Sequence, residues 1–374
     1  MLNSKLKAVL LGTATAVLGA CADTAAPAAG SRALALDVVV DSIDTPVGSE
    51  WMGPGAPDTL RLGYFSRSPV VAMAQRHGFF AAESLTVLEF QTPSSPVIFQ
   101  RLRDGKWNLI STQIDNVFNY RFNASNPLGG TFDPTAIMGT DWGNGAALLA
   151  RPEYPTVESL RGKTVAVDSP NSGFAFVLYG IMRAHGLEKG VDYNVIVTGG
   201  TPGRYADLVA GRFDATILNA GYQFRAEAAG MQVLGQMHDA VNPSMGGSVV
   251  ALRGWLDQHQ NTAVRFIRAY VGAQKYVLDP ANRDEVIAWL TTDAGGNSMV
   301  ALRSYQVLTT GGDGLIPDGA IDTQGVRAMA ALRSSFGGFD VPQNIDWLAT
   351  PASGVYDLGA WHLASASLNR GLTP

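Results

Sequence analysis

Residues that carry covalent or metal chemistry are scarce in this chain. It has a single cysteine, Cys21, which excludes a disulfide within the chain and a thiolate metal cluster. The five histidines are scattered, and no H-E-x-x-H motif brings two of them together. The sequence also lacks the G-x-S-x-G turn of serine hydrolases and the G-x-x-x-x-G-K-S/T loop that binds phosphates. We therefore expect no metal, no cofactor and no enzymatic activity, and the enzyme alternative left open is a serine acyl transferase that uses Ser169 or Ser172.

Charge is sparse as well. Charged residues make up 16% of the 374 residues, and the formal net charge is −5. No basic run or stripe is present, so nucleic acid is not expected as a partner. Hydrophobic residues make up 46%, which is enough for sizeable cores. A chain of this length is expected to form about two domains or one two-lobed unit.

The hydrophobic run at the N-terminus is short. Lys5 and Lys7 precede residues 8–18, a run too short to remain in a bilayer as a spanning helix. The next residues, Leu18-Gly-Ala-Cys21, resemble the lipobox of bacterial lipoproteins. This resemblance implies a signal peptide over residues 1–20, lipidation of Cys21 and a periplasm-facing, membrane-anchored protein, with Ala22 favouring the outer membrane. An ordinary signal peptide with an incidental Cys21 is the alternative.

The next segment, residues 21–59, is rich in Ala, Pro, Gly and Asp and is predicted to be a tether that follows the lipidated cysteine. Within it, residues 33–40 are a candidate for an added edge strand. The folded body is expected to begin at Leu60. Short apolar runs then predict strands over residues 61–65, 85–90, 108–112 and 135–139. The intervening helices are predicted over residues 70–76, from an N-cap at Ser95 to Asp104, and from Asp115 onward.

The same order of elements recurs about 106 to 108 residues later. A strand over residues 164–167, a loop over 168–173 and a helix over 174–184 begin the second copy. A strand over 195–197 and a helix with Thr201 as its N-cap and Pro202 as its first residue continue it. Two such units in succession predict an α/β fold of two lobes, each a mostly parallel sheet flanked by helices.

Two strand-like runs, residues 146–150 and 248–252, flank the second copy and predict two crossings between the lobes. The expected divisions are residues 60–150 for the first part of lobe 1, 151–245 for lobe 2, and 246–374 for the return to lobe 1 with a helical C-terminal extension. The extension is expected to pack on lobe 1. Its predicted helices cover residues 261–278, 285–290, 299–308, 323–332 and 355–368.

Several short sequence motifs of the predicted folded region resemble those of the solute-binding proteins of bacterial ABC importers. They are Gly63-Tyr-Phe, Ser68-Pro, His77-Gly-Phe-Phe, Glu83-Ser-Leu and Gly105-Lys-Trp-Asn-Leu. The branch is that of the type II periplasmic binding proteins for thiamine precursors, alkanesulfonates, taurine and nitrate, and Ser84 stands where that branch usually has glycine. The resemblance covers residues 60–290. It implies two lobes with a hinge, a small-molecule ligand enclosed between them, a permease in the inner membrane as partner, and a monomer.

The loops that follow the strands are expected to line the cleft, because ligands sit beyond the carboxyl ends of strands in open α/β sheets. The helix N-terminus after residues 168–173 would favour a ligand oxygen. Aromatic stacking faces are expected from Trp142, Phe174 and Tyr222, whereas Tyr64 and Phe65 are expected in the core. The predicted ligand-binding residues are Ser66, Arg67, Thr112, Gln113, Asp115, Asn116, Asp141, Trp142, Asp168, Ser169, Asn171, Ser172, Gly173, Phe174, Thr201, Asn219 and Tyr222.

The charge of these loops favours one class of ligand. Asp115, Asp141 and Asp168 outnumber Arg67, with Arg204 just inside a helix. A site for a small inorganic anion would use more cations or N–H donors, so a neutral or amine-bearing heteroaromatic ring is favoured. A sulfonate or other organic anion is one alternative, and helix capping is another role for the aspartates. A ligand-sensing lipoprotein that signals to a membrane receptor is the alternative to import, and neighbouring genes would distinguish the two.

Overall fold

The protein is described by a computed structural model over residues 58–369. The predicted signal peptide, Cys21 and the candidate strand at residues 33–40 lie outside this range. Among the described residues, none of the helices has the length and hydrophobicity needed to cross a membrane.

Within residues 58–369, ten strands form two five-stranded sheets. The strands are β1 (Asp58–Tyr64), β2 (Leu85–Gln91), β3 (Leu109–Gln113), β4 (Pro134–Asp141), β5 (Ala147–Ala150), β6 (Thr164–Val167), β7 (Asn194–Val197), β8 (Ala215–Leu218), β9 (Gln232–Gln236) and β10 (Gly247–Leu252). The sheet of lobe 1 has the order β2-β1-β3-β10-β4, and that of lobe 2 has the order β7-β6-β8-β5-β9. In each sheet one strand, β10 or β5, runs antiparallel to both neighbours. The predicted two-lobed α/β fold is confirmed.

Helices cover both sheets and form the C-terminal extension. They are α1 (Pro69–Arg76), α2 (Phe79–Ala82), α3 (Ser95–Arg103), α4 (Ile114–Phe122), α5 (Gly173–Ala184), α6 (Thr201–Val209), α7 (Tyr222–Ala228), α8 (Met237–Ala240), α9 (Arg253–Gln258), α10 (Gln260–Leu278), α11 (Arg283–Asp293), α12 (Ser298–Leu308), α13 (Thr323–Ser335), α14 (Ile345–Leu348) and α15 (Gly359–Asn369). Short 3-10 turns lie at Glu158–Leu160, Pro280–Asn282 and Pro351–Ser353.

The repeat is visible in the strand order, since β2-β1-β3 in lobe 1 corresponds to β7-β6-β8 in lobe 2. The starts of α3 and α6 differ by one residue from the prediction, because Ser94 and Gly200 are the N-cap residues. Ser95 is therefore the first helical residue of α3, and its backbone N–H donates to the Asp168 carboxylate of lobe 2 (3.1 Å). The residue predicted to cap a helix instead contributes a contact between the lobes.

The chain crosses to lobe 2 earlier than predicted. Strand β5 pairs with β8 and β9, so it belongs to lobe 2 and the first crossing lies between β4 and β5. The boundary at residue 150 is corrected accordingly. The start of α15 is also later than the predicted residue 355, because Val355 accepts a hydrogen bond from the Ala136 N–H (2.9 Å) and Tyr356 forms a bridge with the same residue of β4.

The C-terminal extension contacts both lobes, which corrects the prediction that it packs on lobe 1. Helix α10 packs on α1 and α2 of lobe 1. Helix α12, in contrast, contacts α7 of lobe 2, and α13 contacts both α4 of lobe 1 and α5 of lobe 2. The largest hydrophobic core follows this arrangement, since it joins Phe118 of α4, Phe176 of α5 and Met329 of α13. The lobes therefore share one core through α13.

Candidate ligand-binding site

A cavity of about 120 Å³ lies between the lobes, at the carboxyl ends of strands from both sheets. We call it the interlobe cavity. Its walls come from the ends of β3 and β4, from the loops after β1, β4, β6 and β8, from the start of β10, from the starts of α4, α5 and α6, and from the C-terminal extension. A cavity of this volume has room for a small solute. Its position is the one expected for a ligand site in an open α/β fold.

Eleven of the predicted residues line the interlobe cavity. They are Ser66, Arg67, Thr112, Gln113, Asn116, Asp141, Asp168, Ser172, Phe174, Thr201 and Asn219. The structure thus brings together polar groups of lobe 1 and lobe 2, as the two-lobed prediction requires. Whether they contact a ligand remains a prediction.

Asp115 is placed differently from the prediction. Its side chain is fully buried and pairs with the equally buried guanidinium of Arg333 in α13, with Arg333 Nη2 donating to Asp115 Oδ2 at 2.6 Å. Arg333 Nε donates to the same carboxylate at 3.0 Å. Both oxygens are occupied by this pair, so Asp115 is a link to the C-terminal extension and does not line the cavity.

Five further predicted residues lie outside the cavity wall. Trp142 packs against the core, and its carbonyl accepts a hydrogen bond from Ser244 Oγ (2.5 Å). Tyr222 packs on Tyr205, with ring centroids 5.6 Å apart. The remaining three lie in the loop before α5 or at its first residue and form hydrogen bonds through their backbone groups: Ser169, Asn171 and Gly173.

The N-terminus of α5 is already occupied by protein groups. The Gly173 N–H donates to Asn116 Oδ1 of lobe 1 (3.0 Å). The Asn116 amide in turn donates to Thr112 Oγ1 (2.9 Å). The predicted preference of this helix start for a ligand oxygen is therefore satisfied, at its first residue, by a side chain of the other lobe.

Thirteen other residues complete the cavity wall. They are Phe65, Ser68, Pro69, Ser111, Thr140, Asn144, Arg204, Ala220, Gly246, Gly247, Tyr270, Leu308 and Leu315. Some had a sequence signal, because Ser68 follows β1 and Thr140 lies near the end of β4. Phe65, expected in the core, lies in the loop after β1. Tyr270, Leu308 and Leu315 come from the C-terminal extension, where a helical period alone does not indicate which side chains reach a distant cleft.

The charges of the cavity are two carboxylates and two arginines. Asp141 Oδ1 accepts hydrogen bonds from the Gly143 and Gly247 N–H groups (3.0 and 3.2 Å), and its Oδ2 accepts one from Thr140 Oγ1 (2.8 Å). Burial raises the pKa of the Asp141 carboxyl above its ordinary value, and the nearby Asp313 acts in the same direction. Asp141 therefore resists ionisation more than a surface aspartate.

Arg204 is buried, and its guanidinium is largely used by protein oxygens. It donates to Thr216 Oγ1, the Gly199 carbonyl, Thr201 Oγ1 and the Ile217 carbonyl. The Asp168 carboxylate faces it, with Nη1 and Oδ1 3.9 Å apart. Burial lowers the pKa of Arg204, while Asp168 raises it. Arg204 thus balances Asp168 and has few N–H groups left for a ligand.

Arg67 is the more exposed cation of the cavity. Its guanidinium lies 5.3 Å from the Trp289 ring centroid and 3.9 Å from Asp293 of α11. Asp293 also accepts a hydrogen bond from Arg225 of lobe 2 (2.6 Å). This carboxylate therefore stands between a cation of each lobe, and Arg67 reaches the cavity with its charge partly balanced.

Two polar groups of the cavity wall have no hydrogen-bond partner. Ser66 Oγ is buried and unpaired, and so are both the nitrogen and the oxygen of the Gln113 side-chain amide. Both residues belong to lobe 1: Ser66 lies just after β1, and Gln113 is the last residue of β3. Buried polar groups are nearly always hydrogen-bonded in proteins, so these two indicate where a ligand or water has a role.

The sequence comparisons identify the family. No curated protein sequence matches this chain. The sequence profile of the NMT1-like family matches residues 53–291, which is more than half of the chain. The chain belongs to the NMT1-like family.

Solved structures with the same fold as this NMT1-like protein include both binding proteins and an enzyme. The periplasmic nitrate-binding protein NrtA from Synechocystis PCC 6803 is 12% identical with a TM-score of 0.68, covering 85% of this chain and 91% of NrtA. The alkanesulfonate-binding protein SsuA from Xanthomonas axonopodis pv. citri, bound to MOPS, is 16% identical with a TM-score of 0.64, covering 82% and 100%. The desulfurization enzyme DSZB is 12% identical with a TM-score of 0.55, covering 84% and 99%. The predicted resemblance to the periplasmic-binding-protein fold is confirmed.

Proposed function

We propose that this NMT1-like protein is the extracytoplasmic solute-binding component of an ABC importer. The observation that carries the proposal is the interlobe cavity, whose wall is built from strand-end loops of both lobes. Near it the Gly200 N–H of lobe 2 donates to the Pro93 carbonyl of lobe 1 (2.6 Å), in addition to the Ser95–Asp168 contact. A solute that contacts both walls would favour the closed arrangement by its differential affinity for it. The permease would then recognise the closed form.

The proposed location rests on the N-terminal sequence. The lipobox-like residues that end at Cys21 support removal of a signal peptide and attachment of a diacylglycerol thioether to that cysteine. Several acyl chains together anchor a protein stably. The protein would work as a monomer beside the permease, and the mass of the processed N-terminus tests the modification.

The ligand that the cavity favours is small and neutral or amine-bearing, with a heteroaromatic ring as the preferred shape. Asp141 and Asp168 offer acceptors, and Arg204 has most of its donors occupied. Phe65 and Phe174 of the cavity wall supply aromatic faces. An organic anion such as a sulfonate is the second candidate, because Arg67 reaches the cavity and two proteins of the same fold bind an alkanesulfonate and nitrate.

The proposal is tested by a thermal-shift screen of pyrimidines, amines, carboxylates, sulfonates and nitrate. A solute present at 100 times its Kd is expected to stabilise the protein by about 2.7 kcal/mol. Asn219→Trp fills the cavity and should abolish the shift, whereas Asn194→Trp places the same ring on the exposed start of β7 and should leave it intact. If no solute stabilises the protein and it instead turns over an ester or amide, the binding-protein proposal is wrong.

A further inference from the structure

Gln113 lies at the seam between the lobes, at the end of β3. It is 5% exposed and forms part of the cavity wall. Its side chain lies against Gly173, the first residue of α5 in lobe 2, so closely that a methyl group at Gly173 would overlap with Gln113 Oε1. A glycine at this position therefore lets the lobe 2 helix approach the amide.

Both hydrogen-bonding atoms of this amide lack a partner. An amide offers one acceptor oxygen and two donor hydrogens, and exchanging the positions of its oxygen and nitrogen does not change this inventory. The conclusion is therefore the same in either orientation. The amide forms no hydrogen bond in its present position. Rotation of the Gln113 side chain into the cavity would therefore break no hydrogen bond.

The surroundings of Gln113 explain why its own neighbours do not satisfy it. Asn116, one turn further on, is engaged with Thr112 and Gly173, and Asp115 is engaged with Arg333. Among the buried side-chain groups of the lobe 1 wall, the Gln113 amide and Ser66 Oγ are the two that lack a hydrogen-bond partner. Together with the more exposed Arg67, they are the groups of this wall that we expect to meet a ligand.

Resting on the proposed function, we propose that Gln113 is the specificity-determining residue of the interlobe cavity and recognises a ligand edge whose donor nitrogen and acceptor oxygen are bonded to the same carbon. A neutral amide or urea group has this edge and can form two hydrogen bonds with the Gln113 amide at once. A carboxylate offers only acceptors, and an amidinium offers only donors. A site with buried polar groups discriminates strongly against ligands that leave those groups unpaired.

Four probes of nearly equal size separate these possibilities: benzamide, benzoate, benzamidinium and acetophenone. Titration calorimetry with the full chain is expected to give benzamide at least tenfold tighter binding than benzoate and acetophenone. Gln113→Met should remove this preference. Gln113→Glu, which replaces the donor with an acceptor, should shift the preference toward benzamidinium. Gln100→Met, at an exposed position of α3, is the matched control and should change nothing.

A purely structural role is distinguished by stability. Replacing an unpaired buried amide by an apolar side chain of similar shape should leave the Tm unchanged or raise it, whereas a structural glutamine would lower the Tm on the same replacement. The proposal is wrong if Gln113→Met leaves the ranking of the four probes unchanged, or if the Gln113 amide forms hydrogen bonds only with water. In either case the importer function stands. The same holds if other solutes bind and none of the four does. If no solute binds at all, both proposals fail.

Discussion

Replacement of Arg333 by methionine is expected to lower the free energy of unfolding by about 3–5 kcal/mol. The guanidinium is 0% exposed and forms its ion pair with a carboxylate that is equally buried. It also donates to the Gly338 carbonyl (2.8 Å) and, across the lobe boundary, to the Asn171 carbonyl (2.6 Å). The single replacement leaves the Asp115 carboxylate buried with no compensating charge. Urea unfolding at neutral pH measures the loss.

Two further variants show whether the charge is responsible. Asp115→Leu combined with Arg333→Met removes both charges and should recover much of the lost stability, because a buried pair is often replaceable by apolar side chains. Arg327 is the matched control on the same helix, since its side chain is 49% exposed and its ion pair with Asp346 spans 3.0 Å. Arg327→Met should cost less than about 1 kcal/mol. Equal losses of unfolding free energy in Arg327→Met and Arg333→Met would contradict the assignment of Arg333 as a stabilising buried ion-pair partner.

Asp168→Asn is expected to lower the free energy of unfolding by about 2 kcal/mol. An asparagine can keep both contacts of this side chain, with its oxygen toward the Ser95 N–H and its amide toward Ser172 Oγ. The variant therefore removes little except the negative charge that faces the buried Arg204. It should also shift the preference of the cavity toward anionic solutes. If the variant unfolds at the wild-type urea concentration, the four oxygens around Arg204 suffice to hold its charge.

Asp141→Asn is the matched control within the same cavity, and its effect has the opposite sign. The asparagine oxygen can accept from Gly143 and Gly247, and its amide can donate to Thr140 Oγ1. Because burial raises the pKa of Asp141, the folded protein holds more protons than the unfolded chain from about pH 4 up to the raised pKa, and its stability falls as pH rises through that window. Asp141→Asn lacks this pH-dependent loss of stability. Above the raised pKa, its free energy of unfolding should therefore exceed that of the wild type by about 1.4 kcal/mol for each unit by which the pKa is raised. Urea unfolding at pH 4 and pH 7 should show the gain only at the higher pH.

The local features of this fold are well predicted by sequence. The strand Thr164–Val167 and the helix after it were placed within one residue, because a short β-branched run and a long apolar segment have different periods. Of the residues predicted from the repeat, eleven line one cavity between the lobes, because ligands sit beyond the carboxyl ends of the strands in open α/β sheets.

The predicted residues that lie outside the cavity wall are held there by contacts that have no local sequence pattern. Asp115 was predicted as a ligand residue because it follows a strand, and nothing near it in the sequence indicates its partner on α13. Trp142 lies in a strand-end loop too, but its ring packs into the core. The direction in which a loop side chain points is set by the elements packed on it, and here these come from the C-terminal extension and the other lobe.

The ion pair between Arg333 and Asp115 also affects the order in which the parts of the protein can fold. The pair joins residues 218 positions apart in the chain. Closing the long loop between these two residues costs conformational entropy before their contact can stabilise the fold. Both sheets lie N-terminal to α13 and can form first, but their shared core remains uncovered until α13 docks. A chain that is cut before residue 333 would therefore retain every strand of both lobes and still lack the side chain that neutralises the carboxylate at their junction.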